Sequence, residues 1–140
     1  MNKVKIAKED HEILACWEAV YALRPHLIKE EFLEKIRDIQ KENYHLAYIA
    51  SEGKVVSIAG FRYMHMLYSG KSIYIDDLST LETHRGKGYA SQLLNYIDAL
   101  VKEQKLEVVH LDSGFSRQKA HKVYFNHGYT ISSFHFAKKL

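Results

Sequence analysis

The run Arg85-Gly86-Lys87-Gly88 sets two cations and two glycines between a strand-like segment and a long amphipathic one, Ala90 to Val101. A plain turn needs one glycine at most. A helix that begins here presents unpaired backbone N–H groups and the positive end of its macrodipole, with Arg85 and Lys87 alongside. That combination suits an anion, and glycine lets the backbone approach it without a Cβ in the way. A pyrophosphate fits this chemistry; a bare turn with two solvated cations is the alternative. The G-x-x-x-x-G-K-[ST] spacing of a Walker loop is absent. A dinucleotide fingerprint would need glycine at Ser91 and would open a first βαβ unit.

Other reactive side chains carry less specific signals. Asp76 and Asp77 are neighbours in a strand-like run. In a regular strand neighbours face opposite sides, so the two are not expected to form one site. Each is either a solvated or ion-paired carboxylate, or the group that takes the proton of an incoming ammonium, directly or through water. Tyr124 lies on the helical stripe Ala120-Val123-Tyr124, so its ring faces inward and its hydroxyl needs a partner. The histidines are scattered and no metal site is expected. Cys16 is the single cysteine, on the core face of a predicted helix, with no disulfide or CxxC partner.

The elements that must position these residues follow from hydrophobic period. Val4 to Ala7 reads as a first strand. Asp10 is a plausible N-cap for a helix with Ile13, Leu14, Trp17, Val20 and Tyr21 inward. Arg24-Pro25-His26 breaks it, and a second helix carries Phe32, Leu33, Ile36 and Ile39. Three strand-like runs, "YHLAYIAS", "VVSIAGFRYMHMLY" and "SIYIDDLSTL", are joined by "EGK" and "SGK" turns into an antiparallel meander. The helix after the glycine turn leads to "VVHLD" as a parallel crossover strand. Ser116 is expected to cap a helix to about His127, and "YTISSFHFAKKL" to close as a last strand. The order β-α-α-β-β-β-α-β-α-β predicts a single α/β domain over 1–140, with a central mixed sheet flanked by about four helices.

Composition bounds the function. A net charge of +3 allows an acidic ligand without demanding nucleic acid. No apolar run approaches the roughly 20 residues that span a bilayer, and the N-terminal stretch lacks a secretion signal. A cytoplasmic protein with no nucleic-acid or membrane partner is expected; a homodimer is left open.

The run R-G-K-G-Y-A, Arg85 to Ala90, resembles the Q/R-x-x-G-x-G/A signature of the GNAT acetyltransferase superfamily. "IYIDDLSTL" before it is similar to the family's acetyl-CoA strand. "AHKVYFNHGY", Ala120 to Tyr129, resembles the family's second signature. The likeness covers nearly the whole chain and is dense in its second half. It implies acetyl-CoA as acyl donor and a small-molecule amine as acceptor. Backbone groups of Leu78, Ser79 and Thr80 would pair with the pantetheine arm. Arg85, Gly86, Lys87, Gly88, Tyr89 and Ala90 would cradle the pyrophosphate, with Ser91 assisting. Tyr124 would stand near the thioester sulfur, and Asp76 aligns with a carboxylate some members use. Arg117 replaces an asparagine that many members carry, and either reaches a phosphate or points to solvent. The helix break would overhang the acceptor pocket, making Tyr21, Arg24 and His26 candidates for acceptor contacts; a plain helix connection is the alternative. The resemblance therefore implies an N-acetyltransferase in which the amine attacks the thioester directly. The competing reading is an acyl-CoA sensor on the same scaffold, which would have no need of Tyr124 or a strand carboxylate.

Overall fold

A computed structural model describes residues 3–140. The elements run β1 (Val4–Ile6), α1 (Asp10–Ala15), α2 (Trp17–Leu23), α3 (Phe32–Gln40), β2 (Tyr44–Ser51), β3 (Lys54–Met66), β4 (Gly70–Thr80), α4 (Tyr89–Glu103), β5 (Val108–Leu111) and α5 (Gln118–Asn126). The five strands form one sheet in the order β1-β2-β3-β4-β5. Pairing is antiparallel as far as β4 and parallel between β4 and β5, so α4 is the expected crossover.

Side-chain alternation along the strands gives the sheet two apolar faces. On one face Ile13, Cys16, Ala19, Phe32 and Ile36 of α1–α3 pack on Tyr44, Leu46, Tyr48 and Ile58. On the other, Leu93, Leu94 and Ile97 of α4 pack on Ala59, Phe61, Ile73 and Ile75. Burial holds the Cys16 thiol up at about 12, so it stays protonated in the core.

The mixed α/β class and the meander agree with expectation, and four local features do not. The first helix is two, broken at Cys16, whose N–H bonds back three residues to Ile13. Its buried stripe is Ile13, Cys16, Ala19 and Val20, with Trp17 partly buried against it; Leu14 and Tyr21 are about half exposed, at 48% and 45%. The cap is Glu9 rather than Asp10, because Glu12 folds back to take the Glu9 N–H at 3.0 Å in a capping box. At the C-terminal end α5 starts at Gln118, with Arg117 rather than Ser116 at the cap position. The last strand does not form: residues 130–140 have no regular structure. The segment cannot present one apolar face, since Ile131 falls on the opposite side of an extended chain from Phe134 and Phe136.

Candidate active site

The site begins with an irregularity in β4. Opposite β3, Phe61 pairs with Ile75 but Gly60 pairs with Asp77, so Asp76 is an extra residue in a β-bulge. The parallel ladder to β5 also stops there, its last pair being Ile75 with Leu111. The two strands part into a fork. Past it, Leu78, Ser79 and Thr80 have no β5 residue opposite them, and their edge toward β5 is open. Among the described residues the Thr80 carbonyl accepts Arg85 Nε at 3.2 Å, and the Ser79 carbonyl accepts the Ser57 hydroxyl at 3.1 Å from the β3 side.

The bulge sets Asp76 and Asp77 on one side of the sheet, against the expectation that they face opposite ways. Asp77 accepts Arg24 Nε at 2.9 Å and the Tyr44 hydroxyl at 2.9 Å. Asp76 is gripped by Arg62, Nε at 3.0 Å and Nη2 at 2.6 Å. The Arg62 guanidinium lies 5.8 Å over the Tyr44 ring, so both carboxylates flank the same tyrosine. Burial, then Asp77, hold the Tyr44 hydroxyl well above its ordinary pKa. Gly60 makes the arrangement fit: a Cβ there would collide with the Tyr44 hydroxyl. Arg24 also donates from Nη2 to the Asp76 carbonyl at 2.9 Å, a backbone acceptor that the bulge leaves out of the ladder.

Beyond the fork lies a cleft of about 790 Å³. Leu78–Thr80 form one wall and the start of α4 another; Arg117 and Tyr124 of the α5 region close it, with Ala22 and Leu23 from α2. Gly88 caps α4 in the left-handed region, at φ +84°. No side chain caps this helix and no acidic residue sits in its first turn. Its first internally bonded N–H is that of Gln92, to Gly88. The N–H groups of Tyr89, Ala90 and Ser91 are therefore available at the positive end of a 15-residue helix facing the cleft. A Cβ at Gly86 or Gly88 would meet no protein atom.

Tyr124 projects into this cleft and packs edge-on against Tyr129, with ring centroids 5.9 Å apart. Among the described residues no group bonds its hydroxyl. Burial raises its pKa, with Arg117 opposing, so the phenol is protonated near neutrality.

The expected site residues thus divide. Leu78, Ser79, Thr80, Arg85, Gly86, Gly88, Tyr89, Ala90, Ser91, Arg117 and Tyr124 share one cleft; Lys87 does not line it. Asp76 and Asp77 are on the bulge between Arg62, Arg24 and Tyr44. Tyr21 stacks on Trp17 at 5.1 Å, and neither it nor His26 lines the cleft. Arg24 is bound to the bulge. Sequence reasoning missed Tyr44 and Arg62. They sit opposite each other in the β2–β3 register, but a second bulge at Ala50 shifts that register by one from what the turn alone would give.

The acetyltransferase (GNAT) family model matches residues 7–129. The uncharacterized N-acetyltransferase YhdJ of Bacillus subtilis is 32% identical over 118 residues, 83% of this chain and 83% of that protein. The aminoalkylphosphonate N-acetyltransferase of Salmonella typhimurium is 29% identical over 130 residues, 88% of this chain and 84% of that protein. In fold, the chain is similar to AAC(6')-Iy, solved with the bisubstrate analog CoA-S-monomethyl-acetylneamine. The TM-score is 0.84 at 16% identity, over 100% of this chain and 99% of that one.

Proposed function

We propose a reaction for this chain, which belongs to the acetyltransferase (GNAT) family and shares its acetyltransferase activity: it passes the acetyl group of acetyl-CoA to a small primary amine. One observation carries the reading. An uncapped helix N-terminus, an open strand edge and an unbonded phenol line a single cleft. The pyrophosphate rests on the N–H groups of Tyr89, Ala90 and Ser91, with Gly86 and Gly88 giving close approach and Arg85 adding charge. Arg117 faces the same phosphates across the cleft, and Lys87 adds charge from outside it. The pantetheine arm runs along Leu78–Thr80 as an added strand and brings the thioester to the fork.

At the fork the neutral amine attacks the thioester carbonyl. The N–C bond forms and the C–S bond breaks. The departing thiolate takes the Tyr124 phenolic proton, which burial keeps in place until then. The proton lost by the amine passes through water to Asp76, whose two oxygens keep lone pairs beyond those Arg62 uses. Asp77, held by Arg24 and Tyr44, keeps the bulge in shape. Both relatives named above are N-acetyltransferases, and one acts by its name on aminoalkylphosphonates, which supports a small amine acceptor. A sensor that binds acyl-CoA without turnover is not favoured.

The test is calorimetric titration with acetyl-CoA, followed by thiol release on adding a panel of amines. Micromolar binding with amine-dependent release of CoA is expected. Failure to bind acetyl-CoA would overturn the reading, and binding without release for any amine would favour the sensor.

A further inference from the structure

We propose that the amine enters through a second groove, on the sheet face opposite α4, and that this groove selects a cationic amine with an apolar body. The inference rests on the acetyl-transfer reading. The groove encloses about 450 Å³ between the β3–β4–β5 face and the segment Ser132–His135. Its position relates it to the chemistry. The β4–β5 ladder ends at Ile75 and Leu111, and the next residue on each strand, Asp76 and Asp112, lines the groove. Leu78, two residues on, lines the cleft. The two cavities share no lining residue but approach each other across the fork, Asp76 lining one and Leu78 the other, on either side of the proposed thioester position.

The charges that line the groove define its ligand class. Arg62 is the groove's only arginine or lysine, and Asp76 occupies it with both oxygens. An anionic substituent would have to displace that pair. Asp112 accepts the Tyr74 hydroxyl on Oδ2 at 2.5 Å, and its side chain is 47% exposed. Its other oxygen has only the His135 ring, 3.6 Å away. Counting its carboxylates against its one guanidinium, the groove holds one more acidic than basic side chain, Asp112, placed beside the fork. An ammonium is drawn there. Behind it the walls are Met64, Met66, the exposed Tyr68 and the exposed Phe134. Thioethers adapt to irregular apolar shapes and aromatic faces accept alkyl or aryl groups. An arylalkylamine or a branched alkylamine matches this lining; an amine bearing phosphonate or carboxylate does not.

The experiment compares 2-phenylethylamine with 2-aminoethylphosphonate and β-alanine, using acetyl-CoA and thiol release, in the wild type and in Asp112→Asn. The Asn variant keeps a group that can accept from Tyr74. Expected is a kcat/KM at least tenfold higher for 2-phenylethylamine. In Asp112→Asn its KM should rise about tenfold, with kcat within about twofold and with acetyl-CoA affinity and melting temperature unchanged. Preference for the anionic amines, or a wild-type KM in a folded Asp112→Asn protein, overturns the groove assignment and leaves acetyl transfer standing. Acetyl-CoA bound without acetylation of any of the three amines also overturns the assignment. No binding of acetyl-CoA overturns both readings together.

Discussion

Replacing Arg24 by methionine tests how the fork is held open. The substitution keeps an apolar stem at the C-terminal cap of α2 and removes two charge-assisted hydrogen bonds, to Asp77 Oδ1 and to the Asp76 carbonyl, each 2.9 Å long. Bonds to charged groups contribute about 1.5–3 kcal/mol, and stranding a buried acceptor costs about 1–3 kcal/mol. Two facts set the value toward the low end. The Arg24 side chain is 39% exposed, so water replaces part of what is lost, and Asp77 keeps the Tyr44 hydroxyl. About 2 kcal/mol is expected, which for a chain of this size lowers Tm by roughly 6–8 °C. The functional effect is separate. Without its clamp the Asp76 carbonyl can turn back toward β5, lengthening the ladder past Ile75 and narrowing the fork. The KM for acetyl-CoA should rise about tenfold, more than kcat falls, and Arg24→Lys should recover part of both losses. Thermal melts, calorimetry with acetyl-CoA and steady-state kinetics read the three quantities. A destabilised Arg24→Met protein with wild-type acetyl-CoA affinity and turnover would refute the reasoning, because the β3 pairing alone would then fix the bulge.

Gly88→Val places a Cβ in the cleft at φ +84° and should weaken acetyl-CoA binding more than tenfold, about 1.4 kcal/mol, by calorimetry; Gly88→Asn, which tolerates this backbone, separates strain from blockage. Tyr124→Phe should fold and bind acetyl-CoA normally yet lose turnover by roughly ten- to a thousandfold, and full activity in a folded protein would remove the phenol from the mechanism. Glu12 is held at about 2 by the Glu9 N–H, then by the Tyr48 hydroxyl and the Lys8 N–H. A lowered folded pKa means stabilisation present above the ordinary value of 4.5 and lost as pH falls toward about 2. Glu12→Gln should therefore melt below wild type at pH 7, with the gap closing as the pH approaches 2; a gap constant across that range would contradict the assignment.

Much of this site is local in sequence and was readable for that reason. The glycine turn, the stripe of α4 and the position of Tyr124 on α5 each depend on spacing within one element. What escaped depends on register between elements. The run Ile73, Ile75, Leu78 slips phase by one in its apolar alternation, and that slip is the trace of the bulge in the sequence. Read as a regular strand, it places Asp76 and Asp77 on opposite faces. Arg62 and Tyr44 escaped because a second slip, at Ala50, hides their pairing. Arg24 was legible as a candidate from its place at a helix break, but not its partners, which lie 52 and 53 residues away. The final segment misled because its composition suits a strand while its phase does not.

The bulge also has a consequence for insertion and deletion. β4 reaches the fork by carrying one residue more than β3 requires, and that residue is Asp76. Asp76 and Asp77 share a face, so removing Asp76 would leave every later side chain of β4 on the side it already occupies. The apolar alternation would become regular and the core contacts of Leu78 and Ser79 would keep their sense. The parallel ladder could then run on beyond Leu111, and the open edge that the cleft depends on would close. Loss of a single codon would thus leave a chain equipped to fold but without the open edge on which the proposed thioester site rests, whereas substitutions at the same position leave the backbone excess intact.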